Sequence, residues 1–143
     1  MSDKSFNFFN DHSVHFLEMA LSFDRQEKIE FPDGYGRNTG ECGDTVEMFL
    51  VIKDDLIFRV SFLINGCINT HACANTVAHL MERKSVDEAW DISPETVADF
   101  LETLPDSHFH CAELAVGAFY LALKDYRKKD KGPGKNCIRK INP

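Results

Sequence analysis

The sequence predicts an α+β domain in which a β-hairpin buries its apolar face under helices. From Thr45 to Ile52, Val46, Met48, Leu50 and Ile52 alternate with a more mixed face. From Leu56 to Ile64, Phe58, Val60, Phe62 and Ile64 stand on one side, with Arg59 and Ser61 opposite. Alternation with period two marks a half-buried strand. Lys53-Asp54-Asp55 supplies the turn that makes the two runs an antiparallel hairpin. A lone hairpin is marginal in water. Its cover must come from the rest of the chain, where apolar residues recur at spacings of three and four.

Taken in order, Phe8 to Phe23 reads as one amphipathic helix, with Val14, Leu17 and Leu21 on its apolar face and His12 and His15 as surface or packing residues. The stretch from Phe31 to Asn38 is full of breakers and reads as a loop. After the hairpin, Asn65-Gly66-Cys67 gives way to a helix whose stripe carries Cys73, Val77 and Leu80. Ser85-Val86-Asp87-Glu88 is a capping box opening a short helix through Trp90. Ser93 and Pro94 open another, with Val97, Phe100, Leu101 and Leu104 coreward and Pro105 ending it. A long last helix is expected from about Asp106 to Tyr126, along the stripe Phe109, Ala112, Val116, Phe119, Leu123 and Tyr126.

The 143 residues suffice for one domain that buries roughly two-thirds of its unfolded surface. No apolar run approaches a membrane span, and the N-terminus lacks a signal-peptide core. The expected compartment is the cytosol, where thiols stay reduced. Five cysteines there point to metal or thiol chemistry rather than disulfides. A net charge of -7 argues against nucleic acid as the main partner. From Arg127 onward seven basic residues stand against Asp130, a net of +6 that leaves -13 for residues 1–126. Residues 127–143 read as a basic, solvated and partly flexible tail, or as a docking strip for an acidic partner.

The chemistry gathers around Thr39-Gly40-Glu41-Cys42-Gly43-Asp44. Thiolate and carboxylate are both ligands for iron or zinc, and side chains two apart on an extended chain point the same way. Cys67 lies at the hairpin end remote from its turn, where Cys42 and Asp44 enter, so the three should be neighbours. Cys111 sits beside His110 in the first turn of the last helix. Unpaired helix amides are expected to favour thiolate at Cys67 and Cys111. Cys42, Asp44, Cys67, His110 and Cys111 would suit zinc or an iron–sulfur cluster. On spacing alone, scattered buried cysteines explain the pattern equally well, since no Cys-x-x-Cys occurs. Cys73 reads as core, with a place as an extra ligand left open, and Cys137 as incidental. His71, His79 and His108 read as surface residues. A structural zinc module and a Cys111–His110 thiol enzyme are the competing classes. Adjacent helical residues point about 100° apart, which places such a pair poorly.

Together these motifs make the chain resemble the iron–sulfur cluster assembly scaffolds of the IscU type and the N-terminal domain of NifU. The matching pieces are Gly40-Glu41-Cys42-Gly43-Asp44, Asn65-Gly66-Cys67, Lys84-Ser85-Val86-Asp87-Glu88-Ala89, and Leu104-Pro105 leading to His110-Cys111-Ala112-Glu113-Leu114-Ala115. The resemblance implies a three-stranded antiparallel sheet with about five helices packed on it, the third strand preceding Thr45, in a scaffold domain of residues 1–126. It implies Cys42, Cys67 and Cys111 as cluster-ligating, sulfur-accepting thiols, Asp44 as the residue that keeps the cluster labile, and His110 as an accessory ligand. The implied cargo is a [2Fe–2S] cluster, with zinc or iron in the cluster-free form. A cysteine desulfurase and acceptor apo-proteins are the implied partners, and the role is not enzymatic. A zinc-dependent sulfur acceptor is the alternative within that resemblance, and a homodimer stays open. Leu104-Pro105-Asp106-Ser107-His108 departs from the Leu-Pro-Pro-Val-Lys of the family, which speaks against a dedicated Hsp70-type partner. Cys73 adds a fourth thiol after Cys67.

Overall fold

A computed structural model describes residues 8–41 and 43–130. Its strands are β1 (Gly34–Thr39), β2 (Thr45–Lys53) and β3 (Leu56–Asn65), paired antiparallel in the order β1-β2-β3. The α-helices are α1 (Phe8–Asp11), α2 (Val14–Leu21), α3 (Ile68–Met81), α4 (Val86–Ala89), α5 (Pro94–Leu101) and α6 (Phe109–Asp130). The architecture is the expected α+β, with six α-helices among the described residues. None is long and apolar enough to cross a membrane.

Asp54 and Asp55 both take positive φ, as a two-residue turn matching strand twist requires. Val46, Met48, Leu50 and Ile52 are buried as the alternation predicted, and so are Val60 and Phe62. They join residues of α2, α3, α4, α5 and α6 in a single core. Phe58 departs from the pattern. The register shifts between Val51, which faces Arg59, and Ile52, which faces Ile57. That bulge turns Ile57 inward and leaves Phe58 44% exposed, under the cations of Lys53 and Arg83.

The stretch expected as a loop contains β1. Its glycines serve close packing. A Cβ on Gly36 would stand 2.3 Å from the Ala118 carbonyl oxygen and 2.4 Å from the Ala122 nitrogen. One on Gly34 would stand 2.5 Å from the Ala122 oxygen. The strand is glycine-rich so that α6 can lie directly on it.

The helix expected from Phe8 to Phe23 is divided at Ser13, which caps α2 by accepting from the Phe16 N–H. Ser13 Oγ donates to the Leu101 carbonyl at 2.6 Å, and its N–H donates to Thr103 Oγ1 at 3.0 Å. These bonds set the rotation of α2, so Phe16, Met19 and Ala20 turn inward. Val14, 71% exposed, and Leu21 face out, contrary to the expected face.

His71 is buried rather than on the surface. Its ring packs against Phe23 at 4.5 Å and Phe62 at 5.3 Å, with Nε2 2.7 Å from the Ser22 carbonyl oxygen. His79 is exposed, as expected. α6 continues unbroken past Tyr126 to Asp130. Its Arg127 lies 3.8 Å from Asp87 and stacks over Trp90. Cys137 and the remainder of the basic tail lie outside the described residues.

Candidate metal centre

The site forms where β2 begins, β3 ends and two helices start. Thr45 pairs with Asn65 across the hairpin, so the residues just beyond, Asp44 and Gly66-Cys67, arrive side by side. Gly40 N–H donates to the Asp44 carbonyl at 2.8 Å, and Gly43, at φ +93°, donates to the Gly40 carbonyl at 3.0 Å. Only a residue without Cβ takes that φ without strain. Cys67 is the N-cap of α3, and Cys111 lies in the first turn of α6, just after a 3-10 turn over Asp106–His108. A carboxylate oxygen of Asp44 and the sulfurs of Cys67 and Cys111 all lie within 4.8 Å of one another. Of the expected ligands, Cys42 lies outside the described residues. The proximity of Asp44 and Cys67 inferred from the hairpin holds.

Thr70, which the sequence reading did not single out, sits at the middle of this group. It is fully buried, and its Oγ1 donates to Asp44 Oδ2 at 3.0 Å. The same oxygen lies 3.6 Å from Cys111 Sγ and 3.7 Å from Cys67 Sγ. A hydroxyl three residues after a helix-capping cysteine shares its side of the first turn, a signal that was available in the sequence. Gly66 is the second such residue. A Cβ there would stand 2.8 Å from Thr70 Oγ1 and 2.9 Å from Asp44 Oδ2, so glycine leaves the room in which they meet.

The thiols differ electrostatically. Burial alone would push the Cys67 thiol up. The backbone and side-chain groups of Thr70 and Asn69 facing its sulfur outweigh that and hold it below the ordinary value. Cys111 departs from expectation. It is fully buried, and burial pushes its thiol up to about 11 despite the Thr70 hydroxyl, so it is a neutral thiol at neutral pH. Desolvation outweighs the helix N-terminus here. Cys73 is wholly buried among the core residues, as its stripe predicted. Burial, with the nearby Cys111 and Cys67, holds it well above the ordinary thiol range.

His110 is exposed, with Nε2 3.7 Å from Cys111 Sγ. The ring thus bends back toward its neighbour, which the 100° helical offset had not suggested. It stands outside the tight Asp44–Cys67–Cys111 group but within reach of it. His108 is partly buried rather than solvent-facing, its ring 5.8 Å from that of His110. Beside them an open cleft of about 580 Å³ is lined by residues including Asn38, Gly40, Glu41, His110 and Glu113. Among the described residues two sulfurs and one oxygen converge here, and Cys67 is solvent-exposed. Thiolate and carboxylate donors together suit zinc or iron.

A family model of the NifU-like N-terminal domain matches residues 25–132. The chain belongs to that family, of which the IscU scaffolds are relatives. It is 33% identical over 104 residues to the iron-sulfur cluster assembly scaffold protein IscU 1 of Archaeoglobus fulgidus, covering 72% of this chain and 68% of that one. Identity with the IscU scaffold protein of Escherichia coli is 34% over 89 residues, 62% of this chain and 69% of the other. The fold resembles a NifU-like N-terminal protein from Brucella abortus, with a TM-score of 0.68 at 16% identity, covering 86% of this chain and 99% of that one.

Proposed function

We propose that this protein is a scaffold on which an iron–sulfur cluster is assembled and from which it is passed on. The observation that carries the reading is the convergence of Asp44, Cys67 and Cys111 at a site where Cys67 is open to solvent. A resident structural metal is better served by a site closed to solvent. Cargo needs a set that opens. In this reading Cys42 supplies a third thiol and His110 an accessory nitrogen. Asp44, a harder ligand than thiolate, keeps the cluster labile.

Sulfur arrives from a cysteine desulfurase. A thiolate of this chain attacks the outer sulfur of the donor's persulfide, forming a new S–S bond while the donor cysteine leaves as thiolate. Cys67, exposed and with its thiol held low, is the acceptor best prepared among those described, and Cys42 and Cys111 complete the expected set. Cys111, neutral until a metal or sulfur arrives, gives up its proton on ligation. The cluster is a [2Fe–2S] unit, and zinc or iron occupies the donors when it is absent. Acceptor apo-proteins take the cluster in the cytosol, and the protein is a carrier rather than an enzyme. A structural zinc module fits less well, because an apolar core drawn from the sheet and five helices already supplies the burial that small metal-dependent modules lack.

Anaerobic incubation with iron, cysteine and a cysteine desulfurase tests the reading. A sulfide-to-iron charge-transfer band is expected, with iron and acid-labile sulfide in equal amounts, and weakened in Cys111→Ser. A colourless protein holding one tight zinc, unfolding on chelation, would overturn it.

A further inference from the structure

We propose that Thr70 is the positioning residue of this centre, holding the Asp44 carboxylate in the ligand set through its hydroxyl; the proposal rests on the metal-centre reading above. Among the described residues Thr70 alone has a side-chain atom in hydrogen-bonding reach of all three donors, at 3.0 Å from Asp44, 3.6 Å from Cys111 and 3.7 Å from Cys67. Its hydroxyl has one proton to give. The carboxylate oxygen is the nearest acceptor and, when ionised, the strongest. The proton therefore goes to Asp44, and the lone pairs of Oγ1 face the sulfurs.

No other side chain among the described residues hydrogen-bonds to the Asp44 carboxylate. Asp44 is half-buried, and the glycine at position 66 leaves space around its carboxylate. Without Thr70 the side chain is free to rotate toward water. With it, the carboxylate stays within 4.8 Å of both sulfurs. An ionised carboxylate offers about four lone-pair sites, so one bond from Thr70 leaves the others for a metal. Groups that orient a ligand in this way commonly change metal affinity 10- to 100-fold. Thr70 itself is held by its place in the first turn of α3 and by complete burial, so the positioning is done by a fixed group.

The test is anaerobic titration of the full-length reduced protein with cobalt(II). It is followed by ligand-field and sulfur-to-cobalt absorption, with affinity set by competition against a chelator. Thr70→Val removes the hydroxyl at nearly constant shape and is expected to weaken cobalt binding about 10-fold. Thr70→Ser is expected to bind like wild type. In an Asp44→Ala background Thr70→Val is expected to change little further, since the two side chains act as one unit. Wild-type affinity in Thr70→Val, or the same loss in both backgrounds, would overturn the proposal. Should Thr70→Val fail to fold, Thr70→Ser and Thr70→Ala replace it, both lacking the methyl and only one keeping the hydroxyl. Equal affinity in that pair overturns it as well. Cobalt alone is the probe, so the two readings fail separately. A protein that binds cobalt as described but builds no cluster refutes the scaffold and leaves Thr70 in its role. A working scaffold indifferent to Thr70→Val does the reverse.

Discussion

Gly66→Ala perturbs the centre without touching a donor. The φ of Gly66 lies outside the left-handed region, so alanine suits the backbone and the effect is steric. The new Cβ would stand 2.8 Å from Thr70 Oγ1, 2.9 Å from Asp44 Oδ2 and 3.1 Å from Asp44 Cγ, too close for all three. Thr70 is buried and Asp44 is half-exposed, so Asp44 yields. The Thr70–Asp44 hydrogen bond is lost, and a bond to a charged group contributes about 1.5–3 kcal/mol. Reduced freedom of the unfolded chain returns about 0.4–1 kcal/mol. The net cost is about 1–2 kcal/mol, a fall in Tm on the order of 3–8 °C for a domain of this size. Zinc or cobalt affinity should fall about 10-fold or more as Asp44 leaves the set. Thermal melting by circular dichroism and chelator competition measure the two effects. Unchanged affinity with a Tm within about 1 °C of wild type would show that the carboxylate is not held as described.

Gly36→Ala should cost about 3 kcal/mol or more and lower Tm by about 10 °C, because its Cβ meets α6 backbone rather than a movable side chain. A loss under about 1 kcal/mol in urea unfolding would mean that α6 slides easily on β1. Iodoacetamide at pH 8, mapped by mass spectrometry, should label Cys67 well before Cys111. The first thiol is exposed and held low, and the second is buried and raised to about 11; faster labelling of Cys111 would contradict the assignment. His71, whose burial holds its imidazole below 6.5, makes stability fall with acid. Below pH 6.5 the unfolded state binds the proton and the folded state resists it, so stability present above that pH is lost as pH drops. Urea midpoints between pH 7.5 and 5.5 should fall less steeply in His71→Gln, and equal slopes would remove His71 from the account.

The hairpin, the capped short helices and the long last helix were legible because each rests on local signals: alternation, N-caps and stripes. Period two also carried the inference that Cys67 and Asp44 are neighbours. β1 was hidden because its glycines answer a helix backbone more than eighty residues later in the chain. The face of α2 was hidden because both of its sides are apolar, and hydrogen bonds to Leu101 and Thr103 choose between them. Phe58 was misplaced because a single bulge reverses a strand's faces. Within the centre the titratable donors stood out, and the groups that arrange them, Thr70 and Gly66, did not. Neither carries charge, and the spacing of Thr70 three residues after Cys67 gains meaning only once Cys67 is seen to cap the helix. The thiolate expected at Cys111 failed for the same reason, since its burial comes from the tertiary packing.

The central claim, that the centre holds a cluster in order to release it, is met most directly by timing cluster transfer. The reconstituted protein is mixed with an apo-[2Fe–2S] ferredoxin, and the acceptor's spectrum is followed for wild type and Asp44→Ala. The account predicts transfer by wild type and slower transfer, with a longer-lived bound cluster, when the carboxylate is gone. Equal cluster lifetimes in the two proteins, or a wild-type cluster that never reaches the acceptor, would contradict it.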